Sequence, residues 1–300
     1  VRFIGLDSNG PYDGDVQLDW LEGVLENTCQ TDSIDFVFAE VHHPYKSELW
    51  TPGESDFTGS VVSKMEAFSE ACGKPSIHFF GHTHGYSRGQ SRDHKHVMIN
   101  VATAGGAIDY WGEWPQVDYD EFSVSEDDWG FVLVEVEAGD EPKFSVKRLS
   151  RGDGNVALDN ALTDSFSVSK TDYIITTPTT IYPVDIQVSP ECVILRGSSF
   201  EIEEMHGASH WQVTETSGEY SDPLGEVWEQ FENIYFNVDT QDGELITEEY
   251  IAGMPENTEL WWRVRYRDKE LNWSEWSDEA AFSTGESSMS ENLLENPGAE

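Results

Sequence analysis

Positive charge is what this 300-residue chain most conspicuously lacks: 17 Lys and Arg stand against 58 Asp and Glu, a formal net charge of −41. A surface so acidic repels phosphate backbones and anionic headgroups, which excludes nucleic-acid or membrane-surface binding through a basic patch. Long apolar runs are missing too. No segment approaches the ~20 apolar residues that a membrane-spanning helix needs, and the N-terminus carries no charged-then-apolar leader. Only 3 cysteines are present, too few for a disulfide-built scaffold. Cys29 and Cys72 each follow an expected helix and precede an expected strand, so they can meet at one edge of a layered domain, either bridged or as two free thiols. Cys192 has no evident partner.

What is present divides in two. Short apolar runs at 3–6, 35–41, 77–80, 97–101 and 131–136 read as buried strands. Between the first two, Leu18, Leu21 and Leu25 share one face of a helix; a second helix puts Val61, Met65, Phe68 and Cys72 on one stripe and stops at Gly73. Alternating strand and helix predicts an α/β layered sandwich over residues 1–168, interrupted by a long acidic and aromatic loop at 108–128 with Tyr110, Trp111, Trp114 and Tyr119. That loop reads either as the mouth of a site or as an ordinary cover over the sheet edge. Thr and Pro dominate 169–183, an extended linker; strand-like segments over 184–285 predict an all-β immunoglobulin-like sandwich; 286–300 reads as a tail opening a further module.

The chemistry concentrates at strand ends. Gly81-His82-Thr83-His84-Gly85 follows the apolar run 77–80 directly, and Val41-His42-His43-Pro44 closes another strand. Imidazoles on two strand ends of one sheet can converge above its edge, where neutral rings suit Zn, Fe or Mn. His78 alternates within a strand and reads as a packed core or supporting group, and His94 and His96, flanking Lys95, read as a solvated turn.

In order along residues 1–168, Gly5-Leu6-Asp7-Ser8, Gln17-Leu18-Asp19-Trp20-Leu21, Val41-His42-His43-Pro44, Gly53-Glu54, Gly81-His82-Thr83-His84 and Ala104-Gly105-Gly106 together resemble the C-terminal half of a calcineurin-like metallophosphoesterase of the purple acid phosphatase-like branch. The resemblance implies two metal ions, with His42 and His82 serving one and His84 the other. Tyr86 and Arg88 echo the family's His-X-Tyr-X-Arg run, which implies that they face a phosphate-ester substrate, with a structural or surface role as the alternative for Arg88; His43 reads as a supporting donor, a proton shuttle or a substrate contact. The sequence departs from the family as well: Asp-X-His, Gly-Asp-X-X-Asp/Tyr and Gly-Asn-His-Asp/Glu motifs do not occur, and no histidine stands between Pro44 and Gly53. The expectation is therefore a fragment of a longer secreted, bacterial polypeptide, whose remaining ligands and export signal lie upstream and which alone is catalytically incomplete.

In the second domain, 259–268 and Trp273-Ser274-Glu275-Trp276-Ser277 resemble late strands of a fibronectin type III domain, with Leu260 where a corner tyrosine is often found. Alternation puts Arg263, Arg265 and Arg267 on one face, ready to stack on Trp273 and Trp276, though such aromatics also suit carbohydrate or protein contact. The leading expectation is a secreted metal-dependent phosphate-ester hydrolase. Its rivals are a non-catalytic binding or adhesion protein on a degenerate phosphoesterase fold, and a mononuclear zinc hydrolase using His42, His82 and His84.

Overall fold

The computed structural model describes residues 1–10 and 14–287. The Asn292–Glu300 string and most of the expected tail lie outside the described residues. Among those described, strands numbered β1–β19 in chain order outweigh two long helices, α1 and α2. The chain forms two compact units, one of Val1–Tyr173, Gln230–Gly243 and Lys269–Asn272, the other of Ile174–Glu229, Glu244–Asp268 and the chain from Trp273 on. The second domain read over 184–285 is thus not contiguous, because 230–243 and 269–272 belong to the first unit.

The first unit is built on a mixed sheet of β1 (Arg2–Gly5), β2 (Val37–Glu40), β3 (Ser76–Phe80), β5 (His96–Asn100), β4 (Tyr86–Gln90), β6 (Phe122–Glu126), β15 (Ile234–Tyr235) and β16 (Val238–Asp239), in that spatial order. β1, β2, β3 and β5 run parallel; β4 is antiparallel to β5 and β6. β15 enters through Ile234 opposite Val124, which is why the 230–243 excursion joins this unit. β6 falls inside the segment expected to be loop at 108–128, so the true loop is shorter.

Period-two alternation decides which face each residue covers. Ile4, Val37 and Ala39 pack beneath α1 (Gly14–Cys29) and α2 (Asp56–Cys72), against Leu21, Leu25, Val61, Met65 and Phe68. Phe36, Phe38, Ile77, Val97 and Ile99 turn the other way, onto Phe144, Val146 and Val168 of an antiparallel sheet of β7 (Trp129–Glu137), β8 (Lys143–Gly152) and β9 (Ala157–Ser169). The layers are helices, mixed sheet, small sheet. Each fully buried aliphatic or aromatic side chain contributes roughly 1.5–3 kcal/mol. α2 ends as its sequence predicts: Gly73 sits at φ 59° and its amide bonds the carbonyl of Ser69 at 3.0 Å. Cys29 and Cys72, the last residues of the two helices, form a disulfide, and Cys192 is free and exposed.

The second unit is all β. A sheet of β10 (Thr180–Tyr182), β12 (Cys192–Gly197) and β17 (Glu248–Ala252) faces one of β11 (Gln187–Val188), β19 (Ala280–Thr284), β18 (Glu259–Asp268), β13 (His206–Thr214) and β14 (Gly225–Gln230). Part of the segment read as linker is therefore strand. Leu195, Trp211, Leu260, Trp262, Val264 and Phe282 fill the space between the sheets. On the outer face the guanidinium of Arg263 lies 4.1 Å from the Trp276 ring centre, Arg265 lies 4.3 Å from Trp273, and Arg267 lies 5.3 Å from Trp273. The alternating arginines form the cation–π ladder that their spacing predicts.

Candidate metal centre

Because β1, β2, β3 and β5 are parallel, their C-terminal ends share one edge of the sheet, the edge where open α/β sheets bind ligands. A cavity of about 1050 Å³ opens there, lined at those ends by Asp7, His42, His82, His84 and Ala104, and on its apolar side by residues such as Phe79, Val101 and Phe131. The β2–β3 ladder continues past the strands: the amide of Val41 bonds Phe79 O at 3.0 Å and that of Gly81 bonds His42 O at 3.0 Å. This continuation fixes His42 beside His82.

Three imidazoles meet. His42, His43 and His82 each offer a ring nitrogen, and these nitrogens all lie within 4.8 Å of one another. His42 Nε2 is 3.1 Å from His82 Nδ1. His82 adopts φ 67°, a left-handed conformation costing a non-glycine residue of order 1 kcal/mol, and so is held by its surroundings. Those surroundings are the buried Thr83, whose carbonyl and Oγ1 accept from Asn100 Nδ2 at 2.8 and 3.0 Å. On the other side is Gly53, where a Cβ would lie 2.8 Å from Thr83 Cγ2 and 3.2 Å from His82 Cδ2. Glu54 Oε1, next in sequence, accepts from the Ser47 amide and the Tyr119 hydroxyl, both at 2.9 Å. The Gly53-Glu54 pair is a brace for the loop that carries the site.

His43 is oriented by Ser8. The Ser8 oxygen takes the His43 amide at 3.0 Å and stands 2.9 Å from Nδ1. An Nδ1–H given to that oxygen leaves the Nε2 lone pair for a metal, the usual arrangement behind a ligating histidine. Burial first, then the neighbouring imidazoles, holds His43 and His82 below the ordinary histidine range, with Asp109 opposing the shift at His82. Neutral rings are the ligating form.

The structure places His43, not His84, in the close group with His42 and His82. His84 lines the same cavity but lies outside the close trio; its Nδ1 donates to Ala107 O at 2.6 Å, leaving Nε2 available. Its ring packs on the Ala104-Gly105-Gly106 turn, where a Cβ on Gly106 would come within 3.2 Å of Cε1. His43, read as substrate-facing, is the trio's third member instead. Tyr86 and Arg88 are not brought to the cavity. Both are buried in β4; the Tyr86 hydroxyl donates to Asp164 Oδ2 at 2.6 Å, and Arg88 donates to both Asp164 oxygens at 2.7 and 3.2 Å and to Glu232.

His78 is fully buried, with Nδ1 3.0 Å from His96 Nε2, and burial pushes it down to about 3. His96, expected in a solvated turn with His94, is also fully buried: β5 begins with it, and Ser76 Oγ meets its Nδ1 at 2.7 Å. His94 remains near the surface beside Glu70 at 3.4 Å.

No family model matches the sequence, and no curated protein matches it significantly. Among solved structures the chain is similar to one described as a myokine structure, at 11% identity over 39% of this chain and 100% of that one, TM-score 0.24. It is similar also to fibronectin(III)-like modules of Clostridium thermocellum CbhA, at 12% identity over 59% of this chain and 79% of that one, TM-score 0.28. A third is the chicken CNTN1 FN1-FN3 domains, at 10% identity over 67% of this chain and 56% of that one, TM-score 0.29.

Proposed function

We propose that the first unit supplies the histidine donors of a metal centre that hydrolyses phosphate esters, in keeping with the resemblance to calcineurin-like, purple acid phosphatase-like metallophosphoesterases. The observation that carries this reading is the convergence of His42, His43 and His82 beside a large cavity at the C-terminal edge of parallel strands, with His84 on the same cavity. The donor set fits Zn, Fe or Mn, being imidazole throughout and partly desolvated. Such ions, when bound, act as Lewis acids toward phosphoryl oxygens and bring the pKa of water toward neutrality. His42 and His82 hold one ion, His43 is positioned by Ser8 to join them, and His84 Nε2 serves the second. Among the described residues the cavity wall carries no Lys or Arg, and the chain's net charge is −41. Attraction of an anionic ester therefore falls to the metals.

The rest of the molecule is read around this site. The Cys29–Cys72 disulfide supports a secreted, oxidising setting, since such bonds persist there and are rare in reducing cytosol. The all-β unit serves as a fibronectin type III-like spacer or docking module, with the half-buried Arg263, Arg265, Trp273 and Trp276 as its surface for protein or carbohydrate.

Metal uptake tests the proposal. Zinc and manganese titrated into the intact chain, followed by calorimetry and elemental analysis, should bind, and His82→Ala should weaken binding at least tenfold. One tightly held zinc would favour a mononuclear centre of the close trio, a reading the 4.8 Å clustering supports. No uptake of either metal would overturn both.

A further inference from the structure

The histidine trio has an aromatic neighbour that metal binding does not use. The Trp50 ring lies 5.1 Å from that of His82, centre to centre, at 37°. Trp114 then meets Trp50 at 5.8 Å and 50° while remaining 47% exposed. Two indoles at that angle leave a V-shaped notch rather than a closed stack.

The notch is held from both sides. The amide and hydroxyl of Thr51, next to Trp50, both donate to the carbonyl of Pro115, next to Trp114, at 3.2 Å. Beneath Trp50 sits Gly53, where any Cβ would come within 2.9 Å of Trp50 Cε3. Trp111 of the same loop shows what an indole with a structural task looks like here: it packs on Tyr235 and Phe236 and donates to Asn237 Oδ1 at 3.1 Å. Trp114 instead presents nearly half its surface to water, on the side of Trp50 and within a run that includes Asp109, Glu113 and Asp118.

We infer that Trp50 and Trp114 select esters whose organic group is a planar aromatic ring, aryl or nucleoside, by stacking it beside His82. The inference rests on the phosphate-ester reading above and extends it to a substrate class. Metals read the anionic end of such a molecule and say nothing about the rest. An indole notch next to a metal-bearing histidine reads the ring, and base-on-aromatic stacking changes affinity by about tenfold or more per ring while tolerating different bases.

The experiment compares AMP with ribose 5-phosphate, which shares the phosphate and sugar and lacks the ring, by calorimetry on the zinc-loaded intact chain. AMP should bind about tenfold tighter, and that ratio should fall to near one in Trp114→Ala and in Trp114→Leu, which keeps apolar bulk without an aromatic face. No preference for the ring-bearing ligand in either pair, AMP over ribose 5-phosphate or phenyl phosphate over ethyl phosphate, or a preference that survives both substitutions, overturns the inference. Phenyl phosphate against ethyl phosphate separates the two sources of ring: a preference there with none for AMP narrows the class to aryl esters and sustains it. Failure of the chain to take up zinc and manganese alike would sink the phosphate-ester reading alone. Adenosine titrated into the zinc-free chain then judges the notch, since binding weakened by Trp114→Ala sustains it and binding unaffected or absent overturns it.

Discussion

Asp164 offers the sharpest test of how the first unit is held together, because removing it separates a structural arginine from a substrate-binding one. Its carboxylate, 9% exposed, accepts from Arg88 through two nitrogens and from the Tyr86 hydroxyl. Burial alone would push this carboxyl up; the Arg88 charge and the hydrogen bonds from Arg88 and Tyr86 overcome burial and hold it below its ordinary value. Glu232, the second carboxylate on Arg88, is raised by burial because it has only one guanidinium nitrogen and sits beside Asp164. Asp164 is thus the principal counter-ion. Asp164→Ala leaves Arg88 buried with one partner and strands the Tyr86 hydroxyl. Breaking a buried ion pair from one side costs about 3–5 kcal/mol, and because Glu232 retains part of the interaction the low end, about 3 kcal/mol, is expected. For a unit of this size each kcal/mol moves the melting midpoint by roughly 2–4 °C, so the shift should be roughly 6–12 °C. Urea unfolding of the intact chain, followed by tryptophan fluorescence and far-UV circular dichroism, measures the difference. The double variant Arg88→Met with Asp164→Leu should recover part of the loss, since an apolar pair leaves no uncompensated charge. A stability change under about 1 kcal/mol accompanied by loss of phosphate affinity would refute this account and return Arg88 to the substrate.

Two further outcomes follow from buried chemistry elsewhere in the same unit. Glu48, fully buried and taking the Tyr119 amide at 2.9 Å, is raised to about 8, by burial first and also by Asp118 and Glu121. The unfolded chain releases this proton near 4.5 and the folded one keeps it, so stability falls as pH rises between the two values. Glu48→Gln should match the unaltered chain near pH 5 and exceed it by a few kcal/mol at pH 8–9 in urea titrations; equal stability at both pH values would remove the buried acid from the account. The Cys29–Cys72 bond closes a separation of 43 residues, which by loop-closure entropy contributes about 4 kcal/mol. A Cys29→Ala, Cys72→Ala chain should therefore melt roughly 10 °C lower, and a midpoint insensitive to both substitution and reductant would show the helix ends held by packing alone.

Much of the first unit was legible because its information is local. The stripe of Leu21 and Leu25, the stripe of Val61, Met65 and Phe68, and the stop at Gly73 each lie within a few turns of helix, and strand alternation sorts Val37 from Phe38 without knowledge of any partner. The histidines were legible for a related reason: a strand end delivers whatever follows it to the edge of the sheet, so His42 and His82 announce themselves by position. What failed was decided at long range. β4 reads as Tyr-Ser-Arg-Gly-Gln, a polar segment that no hydrophobic pattern marks as buried, yet all five residues are buried, because Asp164, 76 residues on, and Glu232, 144 residues on, satisfy Arg88. The partner carboxylates carry no local signal, and in a chain with 58 acidic residues none stands out as the one that will meet an arginine. The place of His43 beside His42 and His82 was missed for a finer reason. One left-handed residue, His82, and one hydroxyl, that of Ser8, decide which imidazole closes on the trio. Left-handed φ at a histidine is uncommon and set by its surroundings, here Thr83, Asn100 and Gly53, each from a different segment. Motif spacing can place ligands at an edge; which ones converge depends on contacts that only the folded chain assembles.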